Sequence, residues 1–320
     1  MTADHRVSII VPTKNRSACL EAAVKALFEQ TLLPSEIIIV DQSDSDEGRR
    51  RIEAMHTSAP RRVREAVTLH HLHEPEIPGA APARNRGMDV AQGDIWLFLD
   101  DDMVPEHNFL EEIVAVYQAN SDVGGVSGII TNYTAPGRLL RLWTWIFLRG
   151  PFHDERQTIY WKADELRDGA PIRVTKFGSG LMSFRAGIAR SVRFDDRLRG
   201  LPPGEDVDFC ARLGPAVLVV APRARIAHNP SAIGRARDHW IREYVQGKLY
   251  PYYRNWRRGL RNRICWAWFL LGCALITLFG SVRRTSLEPW RALVGGLRAA
   301  TRLGHATETH APTLRNEPGA

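Results

Sequence analysis

Cysteine is scarce in this chain. Its four cysteines, Cys19, Cys210, Cys265 and Cys273, are scattered with no CxxC pair, which argues against a zinc ribbon or a disulfide framework and suits a reducing cytosol. The opening "MTADHRVSIIVPTKN" offers only a five-residue apolar run broken by proline, too short for the apolar region of a signal peptide. The expected location is therefore the cytosolic side. No internal repeat and no long low-complexity linker interrupts the chain. Acidic residues thin out in one region only: residues 235–302 hold 14 Lys/Arg against 3 Asp/Glu, while residues 1–234 hold 28 against 31. The net charge of +7 thus belongs to the C-terminal third. That placement argues against a nucleic-acid groove in the main domain and suits contact with membrane lipids. With 320 residues, 44% of them hydrophobic, the chain can bury a sizeable core.

What is present is an alternation. "VSIIV" (7–11) and "EIIIVD" (36–41) are β-rich runs, and between them "SACLEAAVKALFEQ" sets Leu20, Val24, Leu27 and Phe28 on one helical face. A strand near 66–72, a helix at about 80–91, a strand at 95–99 and a helix at about 107–119 continue the pattern. This order predicts an α/β fold: a mostly parallel sheet with helices on both faces. Further strands and loops are expected over 123–130, 139–148 and 173–187. In such sheets ligands gather beyond the carboxyl ends of the strands. The residues there are Pro12-Thr13-Lys14-Asn15, Asp41-Gln42-Ser43, and Asp100-Asp101-Asp102.

The run "WLFLDDDMVP" ends a core strand on three carboxylates, each of which raises its neighbours' pKa. A hard divalent cation is the usual remedy, and oxygen ligands favour Mg²⁺ or Mn²⁺, held by one or two carboxylates and the phosphates of a substrate. The plain alternative is a solvated acidic turn capping the helix that starts near His107.

Four stretches decide between these. "VSIIVPTKNR" (7–16), "EIIIVDQSDSD" (36–46), "PARNRGMDVAQGDIWLFLDDDMVP" (82–105) and "GEDVDFCARL" (204–213) occur in the order and at the spacing of the family 2 glycosyltransferases, which this chain resembles over roughly residues 5–230. The resemblance implies the GT-A fold and transfer of one sugar from a nucleotide diphosphate sugar, UDP- or dTDP-linked, with inversion. It implies that Thr13 and Asp41 line the nucleobase and ribose pocket, that Pro12 and Asn15 belong to the nucleotide-sugar-binding residues, and that Arg84 helps hold the nucleotide. Asp100 and Asp101 join the nucleotide-sugar contacts. Asp100 and Asp102 match the outer positions of the DxD signature, Asp102 as direct metal ligand, with His228 completing the metal shell. Of the "GEDVDF" acids, Asp206 corresponds to the catalytic base and Glu205 to an acceptor contact, while Asp208 reads as structural. N-terminal helix capping by Glu205 and Asp206 is the competing reading.

His70, His71 and His73 read as structural, since metal sites need convergent side chains. Gly178-Ser179-Gly180 is either part of an acceptor wall or a glycine bend in a strand. Lys14 is balanced between a charge role and a solvated surface. The "QxxRW" motif of processive family members is absent, which favours transfer of a single sugar.

Three regions are expected: a catalytic domain over 1–234, a basic membrane-associated region over 235–302, and a disordered polar tail over 303–320. Between Arg263 and Arg283 lies the uncharged "ICWAWFLLGCALITLFGSV". As a helix it reaches about 28 Å against a hydrocarbon core of about 30 Å. Arginines flank both ends, so a single span competes with in-plane insertion and with a helix hairpin. "EPWRALVGGLRAATRL" reads as a basic amphipathic helix lying on anionic lipid, and "LLRLWTWIFLR" (139–149) as a second membrane-contact candidate or a packed acceptor-side loop. Membrane attachment suggests a polyprenyl-diphosphate-linked or other glycan acceptor. Two alternatives stand beside this reading. One is a nucleotidylyltransferase, although "VPTKNRSACL" lacks the glycine-rich basic loop such enzymes carry after the first strand. The other is a membrane- or nucleic-acid-binding protein without catalysis.

Overall fold

The computed structural model describes residues 5–133, 137–149, 169–178, 180–197, 204–230, 247, 250–251, 255, 259–284 and 287–308. The chain forms two compact units, Met1–Leu201 with Glu205–Arg235, and Pro202–Gly204 with Ala236–Ala320.

Among the described residues the first unit is built on nine strands: β1 Val7–Thr13, β2 Glu36–Asp41, β3 Thr68–His73, β4 Ile95–Leu99, β5 Met103–Pro105, β6 Val123–Ile130, β7 Ile172–Val174, β8 Leu181–Arg185 and β9 Val217–His228. They form one sheet in the order β3-β2-β1-β4-β8-β6-β9-β5, with β7 also paired to β9. The helices are α1 Ser17–Phe28, α2 Glu47–Ser58, α3 Arg61–Ala66, α4 Ala80–Val90, α5 Phe109–Ala119, α6 Arg138–Thr144, α7 Ala186–Ala189 and α8 Glu205–Arg212. A π-helical turn, Trp145–Arg149, continues α6.

The half β3-β2-β1-β4 is parallel throughout. Every residue of β1, β2 and β4 is buried, as expected of continuous apolar runs covered on both faces. Beyond β4 the sheet is mixed. Strand β8 runs antiparallel to both β4 and β6, and β5 and β7 run antiparallel to β9. "Mostly parallel" therefore describes the first half and not the whole. The cause is β8: its five residues, four of them buried, insert between β4 and β6, which are not sequence neighbours of it.

Two cores flank the sheet. On one face Leu20, Val24, Leu27 and Phe28 of α1 join Phe109, Leu110, Ile113 and Tyr117 of α5. On the other, Ala81, Ala83 and Met88 of α4 join Phe194, Phe209 and Cys210. Gly87 lies against Ile10, where a Cβ would overlap its side chain, so α4 presses directly on β1. This fixes the end of α4 that carries Arg84. The third strand begins at Thr68 rather than 66 because 61–66 turns as a short helix. The segment 139–148, expected as strand and loop, is helical. Its Leu, Arg and Trp residues lack the alternation of a half-buried strand.

In the second unit α9 Leu260–Arg284 packs against α10 Glu288–Glu308. Cys265, Trp266, Phe269, Cys273 and Thr277 recur on the buried face of α9, while Ile264, Leu271, Leu275, Leu278 and Phe279 are exposed. Among the described residues no helix is long and apolar enough to cross a membrane, so the span considered for 264–282 is not found. Helix α10 runs past Leu303, where disorder was expected; residues 309–320 lie outside the described residues.

Candidate active site

The three aspartates after β4 diverge to three different partners. Asp100 accepts from Arg84 Nη2 at 2.7 Å. Asp101 accepts from Thr13 Oγ1 at 2.6 Å and from Arg16 Nη1 at 3.2 Å. Asp102 lies 3.3 Å from His228 Nε2 and 3.7 Å from Arg16 Nη1. The mutual repulsion of the triplet is thus met by two arginines that the chain supplies itself. Asp101 and Asp102 are buried, and the Asp100 side chain is 31% exposed. The Asp101 carboxyl is raised to about 6: burial is the largest cause, Thr13 and Arg16 oppose it, and Asp100 and Asp102 add to the rise.

Arg84 is the hinge of the arrangement. It is fully buried in α4, gives one η nitrogen to Asp100 and the other to Glu205 Oε1 at 3.0 Å, and lies over the Phe194 ring at 5.5 Å. Burial opposes its charge, but Asp100 and Glu205 outweigh burial and hold it firmly protonated. Through this one guanidinium the aspartate at the end of β4 and the first acid of α8 are held together. Asp206 follows Glu205 and is buried; Asp208 is buried and paired with Arg212 Nη2 at 2.7 Å.

Backbone geometry brings Asp100 there. Its N–H donates to Gly180 O at 3.0 Å, and Gly180 has φ +82. A Cβ on Gly180 would collide with the Asp100 carboxylate. Ser179, expected beside it, lies outside the described residues. On the other side, β5 pairs with β9 so that Met103 faces His228, and Asn229 N–H donates to Asp102 O at 2.8 Å. Asn132 Oδ1 accepts from His228 N–H at 2.9 Å, and its Nδ2 donates to His228 O at 2.8 Å. His228 is therefore pinned by its backbone, with its ring toward Asp102.

Among the described residues no three His, Cys, Asp or Glu side chains converge to hold a metal ion. The Asp102–His228 separation of 3.3 Å does fit two neighbouring ligands of one cation, which at about 2.1 Å each stand about 3 Å apart. Asp100, expected as a further ligand, is engaged by Arg84 instead.

The nucleotide side is arranged differently from expectation at Asp41. Its side chain is 1% exposed, with Oδ2 3.0 Å from His71 Nε2 and Oδ1 accepting Ser43 N–H at 2.9 Å. Burial raises its pKa, but the bonds from His71 and Ser43 outweigh burial and leave it lowered. Both oxygens are committed inside the protein, so Asp41 braces the loop after β2 rather than facing a pocket. Pro12 and Thr13 are buried at the end of β1, and Lys14 and Asn15 are exposed. Asn15, with φ +54, a conformation asparagine tolerates, exchanges two bonds with Asp44 at 2.9 and 3.0 Å and donates its N–H to Ser43 Oγ at 2.8 Å. The loops after β1 and β2 are thereby clamped together. His73 reaches Ser43 O at 2.9 Å, and His70 lies 3.3 Å from Glu36; each of the three histidines thus has a structural contact. Sequence reasoning missed Arg16, although it stands inside the quoted "VPTKNR", because a charged residue at a helix start gives no local sign of reaching 85 positions along the chain.

Comparison with known proteins places the chain in a family. The sequence model described as glycosyl transferase family 2 matches residues 8–178. A GalNAc(5)-diNAcBac-PP-undecaprenol beta-1,3-glucosyltransferase of Campylobacter jejuni is 32% identical over 97 residues, 30% of this chain and 29% of that one. The glucosyltransferase WfgD of Escherichia coli, named for UDP-Glc and alpha-D-GlcNAc-diphosphoundecaprenol, is 28% identical over 139 residues, 43% of this chain and 51% of that one. The chain therefore spans between 29% and 51% of the length of these two relatives. A mannosyltransferase of Pyrobaculum calidifontis, solved with GDP-Man and Mn²⁺, superposes with a TM-score of 0.57 at 16% identity, covering 97% of this chain and 88% of that one. The superposition shows the fold: a GT-A-like α/β fold with a curled, mixed sheet. The family match covers more than half of the chain, which belongs to glycosyl transferase family 2.

Proposed function

We propose that this protein is a metal-dependent, inverting glycosyltransferase. It moves one sugar from a nucleotide diphosphate sugar to a hydroxyl of a lipid-linked or other glycan acceptor in cell-surface polysaccharide assembly, on the cytoplasmic face of a membrane. The observation that carries the reading is the convergence of Asp100 and Glu205 on Arg84, which supports a site in which a donor-side carboxylate and the acceptor-side acids Glu205 and Asp206 act together. The relatives named for undecaprenyl-linked acceptors support the acceptor class, and the Mn²⁺-bound neighbour supports a divalent cation.

In this reading Asp102 and His228 would hold Mg²⁺ or Mn²⁺. The cation supplies stabilisation of the negative charge that develops on the departing nucleoside diphosphate. Arg16, beside Asp101 and Asp102, adds fixed positive charge at the same edge. Pro12, Thr13, Asn15 and the clamped loops after β1 and β2 form the floor for the nucleotide, with Asp41 acting from beneath through Ser43. Asp206 takes the proton of the attacking acceptor hydroxyl. Glu205 orients that acceptor, and its charge is balanced by Arg84. Arginines of the C-terminal unit and the exposed apolar side of α9 hold the enzyme on anionic lipid.

The test is a thermal-shift series on the full chain with Mn²⁺ and a panel of nucleoside diphosphates, repeated on Asp102→Asn. A ligand that binds only the folded state raises Tm. A metal-dependent rise with one nucleotide, lost in the variant, is the expected result. A rise that is equal in the variant removes Asp102 from the site, and no rise with any nucleotide overturns the reading.

A further inference from the structure

The first unit carries an apolar surface that its own fold does not cover. Leu139, Leu142 and Trp145, at helical spacing along α6 and the π-helical turn, are 82%, 52% and 64% exposed. Leu140 adds to them at 40%. On the opposite side Thr144 is buried, and Trp143 contacts Phe147 along the same helical segment with ring centroids 5.8 Å apart. One side of the helix is thus turned inward and the other faces its surroundings. Arg138 and Arg141 are exposed, and no acidic residue occurs from Gly137 to Arg149.

Position adds meaning to composition. Strand β6 is antiparallel to β8, which is antiparallel to β4, so β6 and β4 end at the same edge of the sheet. Asp100 to Asp102 follow β4 there. Asn132, just past β6, binds the backbone of His228, and α6 begins six residues later. The apolar helix thus follows closely in sequence the residue that binds His228, beside Asp102.

We infer that Leu139, Leu142 and Trp145, flanked by Arg138 and Arg141, form an interfacial wedge by which the catalytic unit itself docks on an anionic bilayer. Arginines attract anionic headgroups, a tryptophan suits the headgroup level, and leucines enter the acyl boundary. The wedge sets the crevice against the surface from which a lipid-linked hydroxyl would be presented. This rests on the proposed lipid-linked acceptor and adds a second contact, independent of α9 and α10.

The experiment is hydrogen exchange by mass spectrometry on the full chain in three states: alone, with phosphatidylcholine vesicles, and with vesicles containing about 30% phosphatidylglycerol, a surface of the charge that basic segments favour. Expected is protection of peptides covering 138–147 with anionic vesicles only. The triple variant Leu139→Ser/Leu142→Ser/Trp145→Ser should lose that protection and partition onto the vesicles about tenfold less, as interfacial binding scales with buried apolar area. Its circular dichroism and Tm should be unchanged, because the three side chains are exposed. Arg138→Glu/Arg141→Glu keeps the apolar face and should lose binding in low salt. Vesicle binding that protects only 260–308 overturns the wedge, as does concentration-dependent protection of 138–147 without lipid, which would assign the face to a second copy. Absence of any vesicle binding overturns the wedge and the membrane placement together. The donor site is judged separately, by the nucleotide-induced thermal shift in lipid-free protein.

Discussion

Arg84 and Glu205 stand 121 positions apart and meet at 3.0 Å in the interior, with the second η nitrogen of the same guanidinium 2.7 Å from Asp100. A buried arginine between two carboxylates makes each depend on the other, so removing it should be felt as lost folding and lost alignment together. Arg84→Gln is expected to destabilise by about 2–3 kcal/mol, below the 3–5 kcal/mol of a fully buried pair because Asp100 is partly solvated. Arg84→Lys reaches only one of the two partners and should recover stability better than turnover. Urea unfolding read beside kcat tests this; a lysine variant with wild-type turnover would show that the two-sided contact is not needed.

Gly180 makes a sharper test, because a methyl group there has nowhere to go. Gly180→Ala brings a Cβ into the Asp100 carboxylate and also strains a backbone at φ +82. Gly214 has φ +69 with nothing near its would-be Cβ, so Gly214→Ala carries the strain alone, about 1–2 kcal/mol. Gly180→Ala should cost more in Tm and, unlike Gly214→Ala, should lower kcat by an order of magnitude or more, as a displaced group does at a reacting centre. Equal effects from both would leave the Asp100 position without catalytic consequence.

The parallel half of the sheet was legible because its strands are apolar runs separated by an amphipathic helix whose Leu20, Val24, Leu27 and Phe28 are all buried. The antiparallel insertion of β8 was not, since strand order depends on contacts across the fold that no local pattern encodes. Asp100 to Asp102 were found by their position after β4, but sequence could not show that they splay toward Arg84, Thr13 with Arg16, and His228. Asp41 illustrates the limit most clearly. A residue at the carboxyl end of a strand normally faces the crevice, yet His71 on the neighbouring strand, two residues before His73, the register partner of Asp41, draws the carboxylate inward.

That inward pair has a pH signature. The Asp41 carboxyl is held below its unfolded value, near 3.9, by His71 and Ser43, so the native state binds its proton less readily than the unfolded chain. Its stabilisation is complete above about pH 4 and is lost as pH falls through the lower folded value. Asp41→Asn should therefore be less stable than wild type at pH 7, and the gap should narrow between about pH 4 and pH 2. Urea midpoints measured across that range decide it; a gap that widens on acidification would mean the pair does not favour the ionised form.

Asp206 and Asp208 share one short helix and are both buried, yet different losses are expected from them. Asp208 is tied to Arg212 at 2.7 Å on the same helix, an ion pair within α8. Asp208→Asn should cost about 1–2 kcal/mol, reduced by the partial exposure of Arg212, and leave kcat within a few-fold. Asp206 follows the acid that Arg84 binds, and if it is the proposed general base its removal should lower kcat by about 10²–10⁴. Asp206→Asn should nonetheless keep the nucleotide- and metal-induced rise in Tm, since donor capture does not need the base. Turnover surviving in Asp206→Asn but lost in a well-folded Asp208→Asn would reverse the two assignments and shift the base one half-turn along the helix.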